Sequence, residues 1–318
     1  MTPTVPPVGT QTTTAWPELD LSAWADTEVT FHLWTQIVGK IRMALEPMVN
    51  HWWQVTLYVS GRGLTTSLMH GGTTGLEIEF DLVDHVLELR TTDGRRRHVP
   101  LEPRSVASFY EATMGALDEL GVRVQILARP VEMVESIPFA QDDAHASYDA
   151  RAVHRFWLAL VHVHRVMTRF RSRFAGKVSP VHFFWGAADL AVTRFSGRSA
   201  PTYAGPGAPH CATWVMELAY SHEESSCGFW PGGSDEGSFY SYAYPAPDGF
   251  ADWPVVPDAA YYDGELGEFL LPYRAVRTAE KPDELLLSFF QSTYEAAAEL
   301  GHWDRASLEG NPVRRTPR

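Results

Sequence analysis

The chain contains 318 residues, of which 45% are apolar, so it can bury the core of two structural units. Its formal net charge of −13 argues against a nucleic acid or an anionic membrane as partner, because both are bound mainly by clustered Lys and Arg. Two cysteines are too few for a disulfide framework, and no apolar stretch reaches the roughly 20 residues that cross a bilayer. We therefore expect a soluble, cytoplasmic protein.

The first half of the chain predicts a helix, five short strands and a second helix. Residues 1–15 are rich in Thr and Pro, and we expect a disordered tail there. Apolar residues at three-and-four spacing over 30–45 predict an amphipathic helix. The later elements are strands at 53–60, 64–70, 75–82, 85–91 and 95–100, a helix at 105–120 and a strand at 122–127. Residues 16–127 would form a first α+β repeat that serves mainly as a scaffold.

The second half predicts the same order of elements with longer loops. A linker at 128–149 precedes a helix at 150–174, whose cationic side chains form either a face packed on the acidic remainder or an anion site. Strands are expected at 181–186, 190–195, 212–221, 226–230 and 238–244, then an irregular excursion at 245–282 and a helix at 283–301. Residues 150–305 would form a second repeat, followed by a tail at 306–318. Because loops on a rigid scaffold often carry function, we expect the site in this repeat.

Three gap-free alignments support an internal duplication. The closing helices match best, with 109–121 over 289–301; strand residues 55–67 align with 181–193, and 78–85 with 216–223. The sequence thus predicts an α+β fold, a tandem duplication of a helix-flanked antiparallel sheet packed as one globular unit.

The alternation of side chains along a strand allows the faces of the two repeats to be compared, and this comparison predicts a site. Side chains of a strand point alternately to its two faces, so aligned residues share a face. In the first copy one face is acidic and polar, whereas its counterpart in the second copy is apolar and carries His182 and Glu217. A lone buried Glu needs a partner, and His182 is the candidate. The pair is either a catalytic base and its orienting group, or a purely structural hydrogen-bonded pair.

A divalent metal, Fe or Zn, is a possible cofactor of this pocket. His182 and Glu217 would supply two ligands, and His222, Glu223 or His145 could complete the set. His222 and Glu223 are adjacent in a strand and so point to opposite faces, and no established metal-binding signature is present. Asp142 and His145 of the linker could fold over the pocket and supply either two more ligands or a carboxylate-oriented imidazole.

Four other residues are candidates for binding a substrate. Arg194 and Arg198 flank a tight turn and could hold a carboxylate or phosphate, or could simply belong to a surface hairpin. Trp230 and Tyr240 belong to an aromatic-rich region and could stack on a flat or cationic ligand, although most of these rings must form core.

Several motifs of the second half stand out: His-Phe-Phe-Trp-Gly at 182–186, Thr-Arg-Phe-Ser-Gly-Arg at 193–198, Ser-His-Glu and Gly-Phe-Trp-Pro-Gly within 221–232, and Gln-Ser-Thr-Tyr-Glu-Ala-Ala-Ala at 291–298. In these motifs the chain resembles a bacterial family of uncharacterised proteins, domain of unknown function 5996. The resemblance runs from about Trp16 to Glu309. It implies common descent and brings no reaction, cofactor or catalytic residue with it.

Two hypotheses of function follow. In the first, the chain is a small-molecule enzyme with its pocket in the second repeat and a divalent metal as a candidate cofactor. In the second, it is a non-catalytic ligand-binding or scaffold protein with an aromatic-lined cavity. Both predict a small-molecule ligand as the partner, and neither predicts an oligomeric state.

Overall fold

The computed structural model describes residues 15–72, 74–232 and 235–309. The helices are α1 (Ala25–Leu45), α2 (Val106–Glu119), α3 (Ala150–Arg171), α4 (Thr213–Ala219), α5 (Tyr273–Arg277), α6 (Pro282–Leu300) and α7 (Arg305–Leu308). The strands of the first half are β1 (Tyr58–Val59), β2 (Gly63–Thr65), β3 (Met69–Gly71), β4 (Thr74–Asp81), β5 (Val86–Thr91) and β6 (Arg96–Pro100). Those of the second half are β7 (His182–Phe184), β8 (Asp189–Ser199), β9 (His222–Trp230), β10 (Ser238–Tyr244), β11 (Tyr261–Asp263) and β12 (Glu268–Pro272).

The strands form two antiparallel six-stranded sheets, one in each half. The first has the order β1-β2-β4-β5-β6, with β3 paired to β4, and the second has the order β11-β12-β10-β9-β8-β7. Contacts place α1 and α2 with the first sheet, while α3 and α6 pack on the second. The predicted α+β class and the two-sheet duplication are therefore confirmed.

The two sheets meet at a pair of residues that the alignment of the halves makes equivalent. The Leu57 amide donates to the Phe183 carbonyl at 2.9 Å, and the Phe183 amide donates to the Leu57 carbonyl at 2.8 Å. A residue that pairs with its own counterpart in antiparallel register lies on an axis of approximate twofold symmetry. The alignment of 55–67 with 181–193 is thus reproduced in the hydrogen bonding.

One hydrophobic cluster extends through both halves. In the first half, Trp34 of α1 stacks on Phe109 of α2 with ring centroids 4.5 Å apart. In the second, Phe170 of α3 packs on Phe290 of α6 at 5.8 Å. The basic face of α3 is partly neutralised, since Arg165 forms a two-pronged ion pair with Asp283 at 2.7 and 2.8 Å. No helix in the described ranges is long and apolar enough to cross a membrane.

Several predicted elements differ from the structure, beginning with the strand expected at 53–60, which is reduced to β1, and that at 64–70, which divides into β2 and β3. Residues 213–219 form helix α4 where a strand was expected over 212–221, because Met216 to Ala219 are good helix formers and Trp214 and Leu218 lie one turn apart. The alignment of 78–85 with 216–223 is therefore wrong. Residues 122–127 form no strand, and the excursion at 245–282 contains β11 and β12, which extend the second sheet.

Candidate functional site

The outer faces of the two sheets differ in that only the face of the second sheet is covered, as expected, but this face is not apolar as the sequence suggested. In the first sheet, Arg90 of β5 pairs on this face with Glu77, Glu79 and Glu88, and the arginine remains partly exposed. The corresponding face of the second sheet is covered and encloses a cavity of about 820 Å³. Its floor carries alternate residues of three neighbouring strands, namely Asp189, Ala191 and Thr193 of β8, Glu224 and Ser226 of β9, and Tyr240 and Tyr242 of β10.

The roof of the cavity comes from both halves of the chain. The indole N–H of Trp52 donates to the Val215 carbonyl at 2.9 Å, and Nδ1 of His51 donates to the Ala219 carbonyl at 2.9 Å. These two bonds hold α4 over the sheet. The end of α1 and the linker around Glu132 complete the enclosure. A site confined to the second repeat, as predicted, is thus corrected to a site shared by both repeats.

Backbone strain is concentrated around this cavity. Eight non-glycine residues of the described chain have positive φ, and four of them, His51, Trp52, Glu132 and His210, line the cavity. Such conformations cost of the order of 1–3 kcal/mol each, and they persist where surrounding structure enforces them, frequently at functional sites. Their clustering marks the cavity as the strongest candidate site.

Three carboxyl groups on the floor lack a cationic partner. Asp189 and Glu224 are 8% and 5% exposed, and within the described ranges neither they nor Glu268 of β12 forms an ion pair. Loss of hydration on burial raises the pKa of Asp189 to about 7, of Glu224 to about 8 and of Glu268 to about 7. The Tyr240 hydroxyl donates to Asp189, and that of Tyr242 donates to Glu224 at 3.5 Å. The floor can therefore gain or lose protons near neutral pH.

Aromatic and apolar side chains form most of the remaining wall. Tyr240 and Trp230, both predicted from the sequence to contact a ligand, line the cavity together with Phe184 and Trp185. Exposed apolar side chains at its rim are Met48, Leu127 and Trp214. A cavity of this size, with apolar walls and a few polar groups, has the character of a small-molecule site.

The predicted pair of His182 and Glu217 is not formed. His182 is fully buried on β7, where Trp53 and Phe184 pack against its ring, and neither ring nitrogen has a partner among the described residues. Glu217 lies exposed on α4 rather than on the sheet. The reason is the helical conformation of 213–219, which removes Glu217 from the alternation of the strand.

The other predicted metal ligands are also dispersed. Nδ1 of His145 donates to the carboxylate of Asp142 at 2.8 Å, but neither residue lines the cavity, so the pair does not fold over the pocket as expected. Glu223 forms an ion pair with Arg198 at 2.6 Å, and His222 packs against His51 with ring centroids 5.3 Å apart. Across residues 15–72, 74–232 and 235–309, no group of three His, Cys, Asp or Glu side chains is placed to hold a metal ion.

Neither arginine predicted to bind substrate lines the cavity. Arg194 points to the opposite face of the sheet, where its guanidinium donates to the Phe170 carbonyl and lies 4.3 Å from the centre of the Tyr294 ring. Arg198 is on the surface and also donates to the carbonyls of Gly301 and His302. Both side chains therefore have structural contacts. The alternation of side chains along β8 places Arg194 on the face away from the cavity, and the ion pair with Glu223 holds Arg198 at the surface.

The cavity carboxyls were missed in the sequence although a signal for them exists. Glu224 and Ser226 alternate with buried Ser225 and Cys227 along β9, which is the pattern of a strand with two covered faces. An acid in such a strand is costly to bury and so is a candidate functional group. Asp189 offers a similar signal, because it opens the apolar strand β8.

We expect replacement of His182 by Leu to stabilise the protein, most strongly at acid pH. Burial lowers the pKa of His182 to about 3, so the folded protein keeps this ring neutral where the unfolded chain protonates it. The resulting loss of stability begins as the pH falls below about 6.5 and is complete near pH 3. Urea unfolding at pH 5 and pH 8 should show a larger gain for the variant at pH 5, of about 1–2 kcal/mol. A larger gain at pH 8 would contradict this assignment.

The comparisons with known proteins identify a family but no activity. No curated protein and no solved structure matches the chain. A model of a family of unknown function, DUF5996, matches residues 16–310, which is nearly all of the sequence and agrees with the resemblance in the motifs. The chain therefore belongs to the family of unknown function DUF5996.

Proposed function

We propose that this protein binds a small organic cation in the cavity between its two halves. The observation that carries the proposal is a set of three carboxyls on the cavity floor, the buried Asp189 and Glu224 and the partly buried Glu268, none of which forms an ion pair within the described ranges. A bound cation would supply the missing charge, and desolvation would strengthen its attraction to the carboxylates.

The walls suit the same class of ligand. Trp185, Trp230, Tyr240 and Tyr242 present rings to the cavity, and the faces of such rings attract ammonium groups. A volume of about 820 Å³ accommodates a molecule of drug size rather than a metal ion or a macromolecule. The preferred ligand thus combines a basic nitrogen with apolar groups.

An enzymatic role is a second candidate, because the carboxyl groups on the cavity floor have pKa values near neutral pH. Asp189 has a pKa of about 7 and holds a hydrogen bond from Tyr240, so it can accept or donate a proton at neutral pH. In such an enzyme Asp189 and Glu224, rather than His182 and Glu217, would be the acid and base. A cytoplasmic location belongs to the same proposal, since Cys211 and Cys227 are both free thiols.

Calorimetry with three probes of similar size tests the proposal. Benzyltrimethylammonium is permanently cationic, benzyl alcohol is neutral and benzenesulfonate is anionic. We expect the cation to bind at pH 9, to bind at least tenfold more weakly at pH 6, where the carboxyls hold protons, and to exceed both other probes in affinity. Equal binding of the three probes, or stronger binding of the cation at pH 6, would overturn the proposal.

Matched variants show whether the carboxyls are responsible. Asp189→Asn and Glu224→Gln should each reduce the affinity for the cation at pH 9 by about tenfold or more. Glu217→Gln removes the same charge from the exposed face of α4 and should change affinity by less than twofold. An equal loss in all three variants would assign binding to net charge and not to the cavity floor.

A further inference from the structure

Lysine is scarce in this chain, and one of its three lysines is buried in the wall of the cavity. Lys177 and Lys281 are exposed, whereas Lys40 of α1 is 1% exposed and lines the cavity. Its Nζ lies 5.5 Å from the centre of the Trp185 ring. Within the part of the chain that the structure describes, no hydrogen bond or ion pair is formed by this amine. A buried lysine that lines a cavity and whose amine forms neither a hydrogen bond nor an ion pair is a candidate for contact with a ligand.

The position of Lys40 is fixed by close packing of α1 on Trp185. A β-carbon at Gly39 would overlap the indole ring of Trp185, so the helix can approach this ring only with glycine at position 39. The ring itself is held by a hydrogen bond of 2.7 Å from its N–H to the Val55 carbonyl. The adjacent lysine is therefore presented to the cavity from a rigid wall rather than from a flexible loop.

Carboxyl-bearing residues line the same cavity as this amine. Burial lowers the pKa of Lys40, while the charge of Glu132 opposes that change. Glu132 is exposed to solvent, yet neighbouring protein removes part of the hydration of its carboxyl and so raises its pKa, while the charge of Lys40 opposes that change. The charge of Glu132 also acts on Asp189 at the floor. An amine with a reduced tendency to hold its proton thus shares the cavity with groups that can carry protons.

We propose that Lys40 is an amine nucleophile that condenses with an aldehyde or ketone in this cavity to form an imine. The Nζ lone pair forms a bond to the carbonyl carbon, and the carbonyl oxygen becomes the hydroxyl of a carbinolamine. That oxygen then leaves as water together with the two protons lost by the amine, one of them carried by the Glu132 carboxyl. The step needs no oxidant or reductant. It rests on the proposed function only in requiring that the cavity admits a small organic molecule.

Reductive trapping with benzaldehyde and sodium cyanoborohydride tests this proposal on the full-length chain. Reduction converts the imine into a stable benzylamine, and peptide mass spectrometry then locates the adduct on Lys40, Lys177 or Lys281. We expect Lys40 to be modified at least tenfold faster than the two exposed lysines, despite its burial. Faster modification of Lys177 and Lys281 would overturn the proposal, and this comparison within the unaltered protein does not depend on the folding of a variant.

A second measurement distinguishes a nucleophile from a simple positive anchor. Glu132→Gln should slow the modification of Lys40 by about tenfold or more, since it removes the proton carrier, whereas Glu217→Gln should leave the rate unchanged. A simple ammonium anchor would behave differently. Benzoate would stabilise both the unaltered protein and Lys40→Arg, and Lys40 would not be trapped faster than the other lysines. This pair of results would contradict imine formation.

The outcome is separable from that of the cation proposal. Preferential trapping of Lys40 without binding of benzyltrimethylammonium would support the nucleophile and remove only the cationic ligand. Binding of the cation without trapping of Lys40 would retain the ligand class and reject the imine.

Discussion

Replacing Glu224 by Gln should make the free protein markedly more stable at alkaline pH. The carboxyl of Glu224 is buried and receives one long hydrogen bond, from Tyr242. Burial raises its pKa from 4.5 to about 8. Between these values the folded protein retains a proton that the unfolded chain releases, so the stability of the unaltered protein falls as the pH rises through this window. Above pH 8 the folded state bears the full cost of a buried charge.

The expected gain for Glu224→Gln is about 2–4 kcal/mol at pH 9, and close to zero at pH 4, where the carboxyl is neutral in both states. Urea unfolding at several pH values measures it, with Glu217→Gln as the control of equal charge change. A gain that does not grow between pH 5 and pH 9 would show that Glu224 is not held in a desolvated state.

This gain should be accompanied by a loss of function. The same substitution is expected to weaken binding of the organic cation, because the ligand interacts with the ionised carboxylate. Groups that bind a ligand often destabilise the free protein, so removing such a group commonly raises stability and lowers activity. Finding both effects in one variant would connect the buried carboxyl to function more directly than either effect alone.

The duplication could be predicted from the sequence because it depends on local order along the chain. The aligned helices 109–121 and 289–301 correspond to parts of α2 and α6, and the aligned strands meet at Leu57 and Phe183. The expectation that one face of the second sheet is covered also corresponds to the structure. These features follow from periodicity and from register, which neighbouring residues determine.

Trp230 and Tyr240 were expected at the site and line the cavity, but the residues from the first half could not be predicted because their position depends on tertiary packing. The error at Glu217 arose from a single short helix: once 213–219 is helical, Glu224, seven residues later, supplies the carboxyl on the covered face. Lys40, His51 and Trp52 belong to the first half and reach the cavity only through the approximate twofold arrangement. Glu268 lies in a segment whose strands β11 and β12 are short and bounded by Gly and Pro. No pattern within either half specifies these contacts across the molecule.

Arg194→Ala should destabilise the protein strongly while leaving ligand binding intact. The guanidinium of Arg194 is 1% exposed, with its central carbon 3.5 Å from the centre of the Phe170 ring and 5.1 Å from that of Phe174. Burial lowers its pKa to about 10, so the side chain remains cationic at neutral pH and relies on these rings and on the Phe170 carbonyl. Truncation removes those contacts and leaves a void among aromatic side chains.

We expect Arg194→Ala to lower the free energy of unfolding by about 3–5 kcal/mol. Arg194→Met should cost less, under about 2 kcal/mol, since it retains much of the volume and removes a buried charge. The surface control Arg198→Ala, whose ion pair with Glu223 is solvated, should cost less than about 1 kcal/mol. Because Arg194 lies on the face of β8 opposite the cavity, Arg194→Met should retain the affinity for benzyltrimethylammonium within twofold. A stable Arg194→Met protein that no longer binds the probe would show that this residue acts on the cavity through the sheet, and would reject a purely structural role.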